Sequence, residues 1–380
     1  MMAKRIRDFV VGGFLITVLM LGGCAPEWAI SLKGPAGEEI RLSHGTWKAY
    51  ADFAGERGIP LEQVLYGQGY QVIETLQITD QDGEELSYAW AEAAGGTWLG
   101  EGGNLVVNDR VIQPRAIAVE QSPWVSRIEA SITDIAPSAA SALGIPAPEI
   151  VAGRSLTDQT ADQVLLLFLD GFGYLRYEEA LEAGLIPELA QLDPPLVGVT
   201  TYPPITTVST ASLLTGAEPP VHGVDRRGIR KTDHETLLEV ARQAGLMVSA
   251  VEGEALAFQL KGVDIQLSGD RDGDGGTDDN VLAKALSVLE QGMPDLFLIH
   301  FHGIDDLGHE VGPGAHLEGE KIREVDHAVG QILNRMPPDT LVVIFADHGM
   351  HRVEGQEREG NHGHLIEQDM LIPIWITYLD

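Results

Sequence analysis

The stretch VLLLFLDGFG, Val164 to Gly173, sets six apolar residues against a lone carboxylate, Asp170, and then turns through Gly-Phe-Gly. A short unbroken apolar run of this kind reads as a strand buried on both faces, as in a parallel sheet covered by helices. A buried strand that ends in a bare carboxylate needs a reason. The same shape recurs in LVVIFADHGM, where the run Leu341–Ala346 stops at Asp347 and His348, and in LFLIHFHGIDDLGH, Leu296 to His309. Three buried strands ending in Asp or His call for one common explanation.

Working outward, apolar runs at 164–169, 197–201, 247–251, 296–301, 341–346 and 371–378 alternate with helical stretches. Around Glu320–Met336 the residues Ile322, Val325, Val329, Ile332, Leu333 and Met336 fall on one helical face. The alternation predicts an α/β domain, a mainly parallel sheet with helices on both faces, over residues 123–380. Chemistry in such folds gathers at the carboxyl ends of the strands, where Asp170 sits. Ahead of it, residues 25–122 read as a small β-rich domain of no assigned role. There AISLKGPAGEEIRLS and ETLQITDQDGEELSYAW each alternate about a polar, glycine-containing turn, the pattern of a hairpin.

The N-terminus carries Lys4, Arg5 and Arg7, then an apolar stretch from Phe9 to Leu21, then LGGC ending at Cys24. That run is shorter than the roughly 20 residues of a spanning helix, so residues 1–24 read as a signal peptide. LGGC resembles the lipobox of bacterial lipoproteins, which implies lipidation at Cys24 and a membrane-anchored, extracytoplasmic protein. Cys24 is the single cysteine, so no intrachain disulfide supports the fold. With 57 acidic against 25 basic residues the formal charge is −32, which disfavours nucleic acid and anionic lipid heads as partners. A small anionic substrate needs a local reversal of sign, and bound cations supply one.

Nine of the twelve histidines lie between His300 and His364. Asp305 and His309 stand four residues apart in DDLGH, on one face of a helical turn. Asp347 and His348 are adjacent in ADHG, and GNHGH offers His362 and His364 in a glycine-bracketed loop. Mixed Asp and His ligands suit zinc, with manganese or iron as alternatives, and the candidates are too many for one ion. TTYPPITTVSTASLLTG adds a hydroxyl: Pro203 and Pro204 fix an extended loop, and Thr206 and Thr207 open a helix running to Leu214. A helix N-terminus favours both an alkoxide and a bound phosphoryl oxygen.

These motifs, LFLDGFG, PPITTVSTASLLTGAEPPVHGV, GIDDLGHEVGPG, VDHAVGQIL, VIFADHGM and GNHGH, resemble the alkaline phosphatase superfamily. They resemble most its branch of nucleotide pyrophosphatases/phosphodiesterases and bacterial type I phosphodiesterases. The resemblance implies one metal held by Asp170, Thr206, Asp347 and His348, and another held by Asp305, His309 and His362. It places Thr206 as nucleophile through a phospho-threonine, with Thr207 the alternative to Thr206 and His364 the alternative to His362. The implied activity is a two-metal phosphodiesterase acting on a small phosphoester. A phosphomonoesterase, a phosphonate hydrolase, or a retired ligand-binding surface lipoprotein are the rival readings. Where that branch carries an Asn that contacts the phosphoryl group, this chain has Ser209, read as a substrate-binding position. The segment Ile132–Leu156 resembles one that relatives carry after the last metal-ligand loop, so its position here reads as a circular permutation, with a helix near 137–143 at the sheet edge. The context ITTVST lacks the C/S-x-P-x-R of sulfatases. Finally, DRDGDGGTDDN begins like a calcium loop, with Asp270, Asp272, Asp274 and Asp278 as its candidate ligands.

Overall fold

The computed structural model describes residues 28–271, 273, 275–353, 355 and 357–379. The signal segment and Cys24 lie outside the described residues. The chain divides after Gln121 into two compact units.

The first unit is built on a five-stranded sheet in the order Glu39–Ser43, Ala29–Lys33, Pro114–Gln121, Ile73–Asp80, Glu85–Ala89. Both hairpins read from the sequence are present as antiparallel pairs, with Leu32 opposite Ile40 in the first and Leu76 opposite Tyr88 in the second. A smaller sheet of Ile59–Pro60, Thr97–Leu99, Leu105–Val107 and Arg110–Ile112 accompanies it. Short helices at His44–Ala49 and Leu61–Gly67 interrupt the strands. Alternation along the strands buries Leu32, Leu42, Leu76 and Ile117 together with Trp90.

The second unit centres on an eight-stranded sheet. Its order is Ala130–Ser131, Leu196–Val199, Leu371–Leu379, Thr340–Phe345, Gln163–Leu169, Leu296–Phe301, Val248–Glu252, Asp264–Leu267. Leu371–Leu379 runs antiparallel to both its neighbours, and every other pairing is parallel. Each apolar run of the sequence became a strand within one to two residues. The three central strands are buried along almost their whole length, which is why their sequences do not alternate.

The helix expected around Glu320–Met336 spans His316–Leu333. Met336 falls beyond it, in a turn where its N–H donates to the Leu333 carbonyl at 3.1 Å. The helix of the Ile132–Leu156 segment does not lie at the sheet edge as expected: it packs on the central strand Thr340–Phe345 and on the helices Thr206–Thr215 and Leu237–Gln243, and the edge is formed by the two residues before the segment. Ala130–Ser131 pairs in parallel with Leu196–Val199, and a helix follows at Ile135–Ala142. Asp134 fastens this edge by accepting from the Ser131 N–H at 2.9 Å and the Arg154 N–H at 2.7 Å. The Ala152 and Gly153 N–H groups donate to the Gly216 carbonyl at the end of the Thr206–Thr215 helix.

Candidate metal centre

Gln163–Leu169 lies between Thr340–Phe345 and Leu296–Phe301, parallel to both, so three strands deliver their carboxyl ends to one place. Asp170 follows the first. Asp347 and His348 follow the second. After the third, the helix Gly303–Val311 carries Asp305 and His309 on one face. The Gly-Phe-Gly turn lets these elements meet. Gly171 has φ +74°, and a Cβ there would lie 2.9 Å from the Asp305 Cβ. A Cβ on Gly173 would meet the Gly349 Cα at 2.6 Å, just beyond His348. Thr206 is the first residue of the Thr206–Thr215 helix, and His362 follows the short strand Gly360–Asn361.

The side chains converge in two lobes. In one, the His348 Nε2 lies 3.2 Å from Asp347 Oδ2, 3.6 Å from Asp170 Oδ1 and 3.3 Å from the Thr206 hydroxyl. In the other, Asp305 reaches His309 Nε2 at 3.5 Å and His362 Nε2 at 3.6 Å, and the two Nε2 atoms are 3.2 Å apart. The rings of His348 and His362 stack with centroids 3.7 Å apart, which joins the lobes. All seven residues of the implied ligand set therefore stand in one centre.

Tautomers follow from the outer contacts. His309, His348 and His362 each donate Nδ1–H to a backbone carbonyl, of Gly360 at 2.8 Å, Gly349 at 3.0 Å and Pro204 at 2.8 Å. Each ring thus turns its Nε2 inward as an acceptor, with the Thr206 hydroxyl 3.3 Å from that of His348 and the Arg227 guanidinium 3.4 Å from that of His362. The carboxylates match them: Asp170 Oδ1, Asp305 Oδ1 and Asp347 Oδ2 are buried with no hydrogen-bond partner. A buried polar atom without a partner is costly, and three acceptors facing three lone pairs are stable only around positive charge. Ligands of one tetrahedral zinc stand about 3.3 Å apart, close to the spacings seen. The residues fit two divalent cations.

The electrostatics agree. Burial, with the charge of Asp170 added, pushes the carboxyls of Asp305 and Asp347 well above the usual range. Burial pushes His348 down to about 4 and His362 well below its ordinary value, so both imidazoles are neutral and ready to ligate. Asp170 goes the other way. Burial opposes its ionisation, yet hydrogen bonds from His300 and His302 hold it well below the carboxylate range.

Those two histidines, with Glu252, escaped the sequence reading. His300 places Nε2 3.1 Å from Asp170 Oδ2 and Nδ1 3.0 Å from Glu252. His302 lies 3.5 Å from the same Asp170 oxygen and 3.2 Å from Glu252. Both rings span the same two buried carboxylates, and the ring of His300 stacks on Phe168 at 3.6 Å. The available signal was the H-x-H spacing, which points both rings to one side of a strand end.

Several sequence candidates lie elsewhere. His364 belongs to a separate cluster, its N–H donating to Asp369 at 2.9 Å beside His351. The Thr207 hydroxyl faces the Ala257 carbonyl at 3.5 Å. Ser209 is fully buried, and its hydroxyl pairs with that of Thr200 at 3.0 Å, because three residues of helix turn it from the open end toward the sheet. Asp278 caps the helix of Asp305, accepting from the His302 N–H at 2.9 Å and the Gly303 N–H at 3.0 Å. Asp270 accepts from the N–H groups of Gly273 at 2.7 Å and Gly275 at 3.2 Å, while Asp272 and Asp274 are outside the described residues.

Residues 249–377 match the family model described as Type I phosphodiesterase / nucleotide pyrophosphatase, which supports the resemblance drawn from the motifs. The match takes in Asp305, His309, Asp347, His348 and His362 and begins after Asp170 and Thr206. Curated relatives include GPI ethanolamine phosphate transferase 2 of Kluyveromyces lactis, 38% identical over 69 residues, 18% of this chain and 8% of that protein. The human GPI ethanolamine phosphate transferase 2 catalytic subunit is 30% identical over 104 residues, 26% of this chain and 10% of its own length. The chain thus spans about a tenth or less of these relatives. Among solved structures, phosphonoacetate hydrolase from Sinorhizobium meliloti 1021 is 17% identical, covering 56% of this chain and 59% of that one at TM-score 0.41. Murine ectonucleotide pyrophosphatase/phosphodiesterase 5 is 17% identical, with 51% and 59% covered at TM-score 0.41.

Proposed function

We propose that this protein is an extracytoplasmic, metal-dependent hydrolase of phosphoester bonds, a phosphodiesterase that uses Thr206 as its nucleophile. The observation that carries the reading is the set of three unpartnered carboxylate oxygens facing three inward-turned imidazole Nε2 atoms, with the Thr206 hydroxyl 3.3 Å from that of His348. Asp170, Asp347, His348 and Thr206 would hold one cation, and Asp305, His309 and His362 the other; zinc suits this donor set. When bound, the pair of cations supplies the charge that acidifies a hydroxyl at neutral pH and offsets charge on the phosphoryl oxygens.

The chain's own residues do the rest. The start of the Thr206–Thr215 helix fixes Thr206 and turns the helix's free amide end toward a phosphoryl oxygen. The Thr206 Oγ1 forms a bond to phosphorus as the bond to the leaving oxygen breaks, and water then cleaves the phospho-threonine. His300 and His302, braced by Glu252, keep Asp170 ionised with Oδ1 turned to the centre. The basic start, apolar run and Cys24 support a lipid-anchored location outside the cytoplasm. No helix among the described residues is long and apolar enough to cross a membrane.

The test compares bis-p-nitrophenyl phosphate with p-nitrophenyl phosphate on zinc-loaded protein. Faster turnover of the diester supports the reading. Turnover of the monoester alone makes the protein a phosphomonoesterase, and turnover of neither defeats the hydrolase assignment.

A further inference from the structure

We propose that Arg227 and Arg358 clamp a negative charge carried by the leaving portion of the substrate and so determine specificity. This rests on the phosphoesterase reading of the same centre. Arg227 Nη2 stands 3.4 Å from His362 Nε2, at the lobe formed by Asp305, His309 and His362. Arg358 immediately precedes the residues that wrap His309: the Glu359 N–H donates to the His309 carbonyl at 3.1 Å, and the Gly360 carbonyl accepts from His309 Nδ1 at 2.8 Å. Both arginines are exposed at the rim of the centre.

Their neighbours show what is unusual. Arg226 pairs with Asp225 at 2.7 Å, and Arg352 pairs with Glu359 at 3.0 Å. Among the described residues neither Arg227 nor Arg358 forms an ion pair with a carboxylate, although the chain has 57 acidic residues to choose from. The loop that carries Arg227 is also pinned. The Ile229 N–H closes a turn on the Arg226 carbonyl at 3.1 Å, Arg230 Nε donates to the Ala257 carbonyl at 3.0 Å, and the Gln259 N–H donates to the Arg230 carbonyl at 2.8 Å. Ala257 is the residue faced by the Thr207 hydroxyl, so this brace ties the arginine loop to the nucleophile helix.

Guanidinium groups beside a cation-filled lobe repel it unless an anion lies between them. In-line displacement sends the leaving oxygen away from Thr206, toward the ligand set that Thr206 does not touch. An anionic group on the leaving portion, a carboxylate or a phosphate, meets two planar five-donor cations there.

The experiment uses two probes on the full chain loaded with zinc, methyl 4-nitrophenyl phosphate and methyl 4-carboxyphenyl phosphate. Each is measured on wild type, Arg227→Gln and Arg227→Gln/Arg358→Gln, so that the intrinsic reactivity of each phenol cancels. The clamp predicts that kcat/KM for the carboxylated ester, divided by that for the nitro ester, falls at least tenfold in Arg227→Gln and further in the double variant, with metal content and Tm unchanged. Arg227→Lys should restore part of the ratio. An unchanged ratio, including equal losses on both esters, overturns the clamp while leaving the phosphoesterase reading in place. A wild type that cleaves neither ester overturns both.

Discussion

The Nε2 atoms of His309 and His362 face each other 3.2 Å apart, and each ring has already committed its Nδ1–H to a backbone carbonyl. Two lone pairs so placed repel, and a proton cannot settle between them cheaply, because burial lowers the pKa of both rings. A divalent cation resolves the conflict. Purified protein should therefore hold two ions per chain by elemental analysis, and His362→Ala should hold one. Zinc at a hundredfold excess over its Kd should stabilise the fold by about 3 kcal/mol for each site filled, read as a rise in Tm that chelation reverses. An unchanged Tm on zinc addition to chelated protein would count against the centre.

Thr206 is expected to be the nucleophile because its hydroxyl is the one that reaches the His348 lobe, whereas Thr207 faces a backbone carbonyl. Thr206→Ala should lower turnover of bis-p-nitrophenyl phosphate by about a thousandfold or more with both ions retained. Thr207→Ala should change it less than tenfold. Trapped phosphoprotein, detected by mass spectrometry after an acid quench, should disappear only in the first variant. Equal losses in both would remove the assignment.

The sequence made the strands legible because burial on both faces leaves no alternation to confuse the reading, and because the three central runs stop at Asp or His. Asp170, Asp347 and His348 were visible for that reason. Glu252 was not: an acid after SAV reads as the start of a loop, yet it closes the strand Val248–Glu252 and is buried beneath two imidazoles. Asp278 shows the converse. In an acidic run the residue that turns inward to cap a helix looks no different from its neighbours that face water. Ser209 was placed by alignment with a motif, and helix geometry sends it into the core.

Glu252 gives a prediction that separates the two lobes. It accepts from both His300 and His302, and these fix the Asp170 oxygen that does not face the centre. Partners of this kind commonly change metal affinity by 10- to 100-fold. Glu252→Gln should weaken one of the two zinc sites by about that factor and leave the other, built from Asp305, His309 and His362, within about twofold. Competitive titration against a chromophoric chelator reads both affinities. Equal weakening of both sites would mean that the variant disturbs the fold and not the orientation of Asp170.

His222 supplies a pH signature away from the ligands. Its Nδ1 accepts from the Val224 N–H at 3.1 Å, so its Nε2–H donates to the Ser212 hydroxyl at 2.9 Å, and Ser212 in turn bonds Thr201 at 2.9 Å. The chain of bonds requires a neutral ring. Burial foremost, with the nearby His234, lowers its pKa to about 4. Because the folded value lies below the unfolded one of about 6.5, the unfolded state takes up the proton first as pH falls. The contribution is whole above pH 6.5 and is lost progressively toward pH 4, amounting to about 3 kcal/mol over that window. Urea unfolding of chelated protein at several pH values should show this decline, and His222→Gln should flatten it at the cost of lower stability at neutral pH. The same slope in wild type and variant would assign the acid sensitivity to other groups.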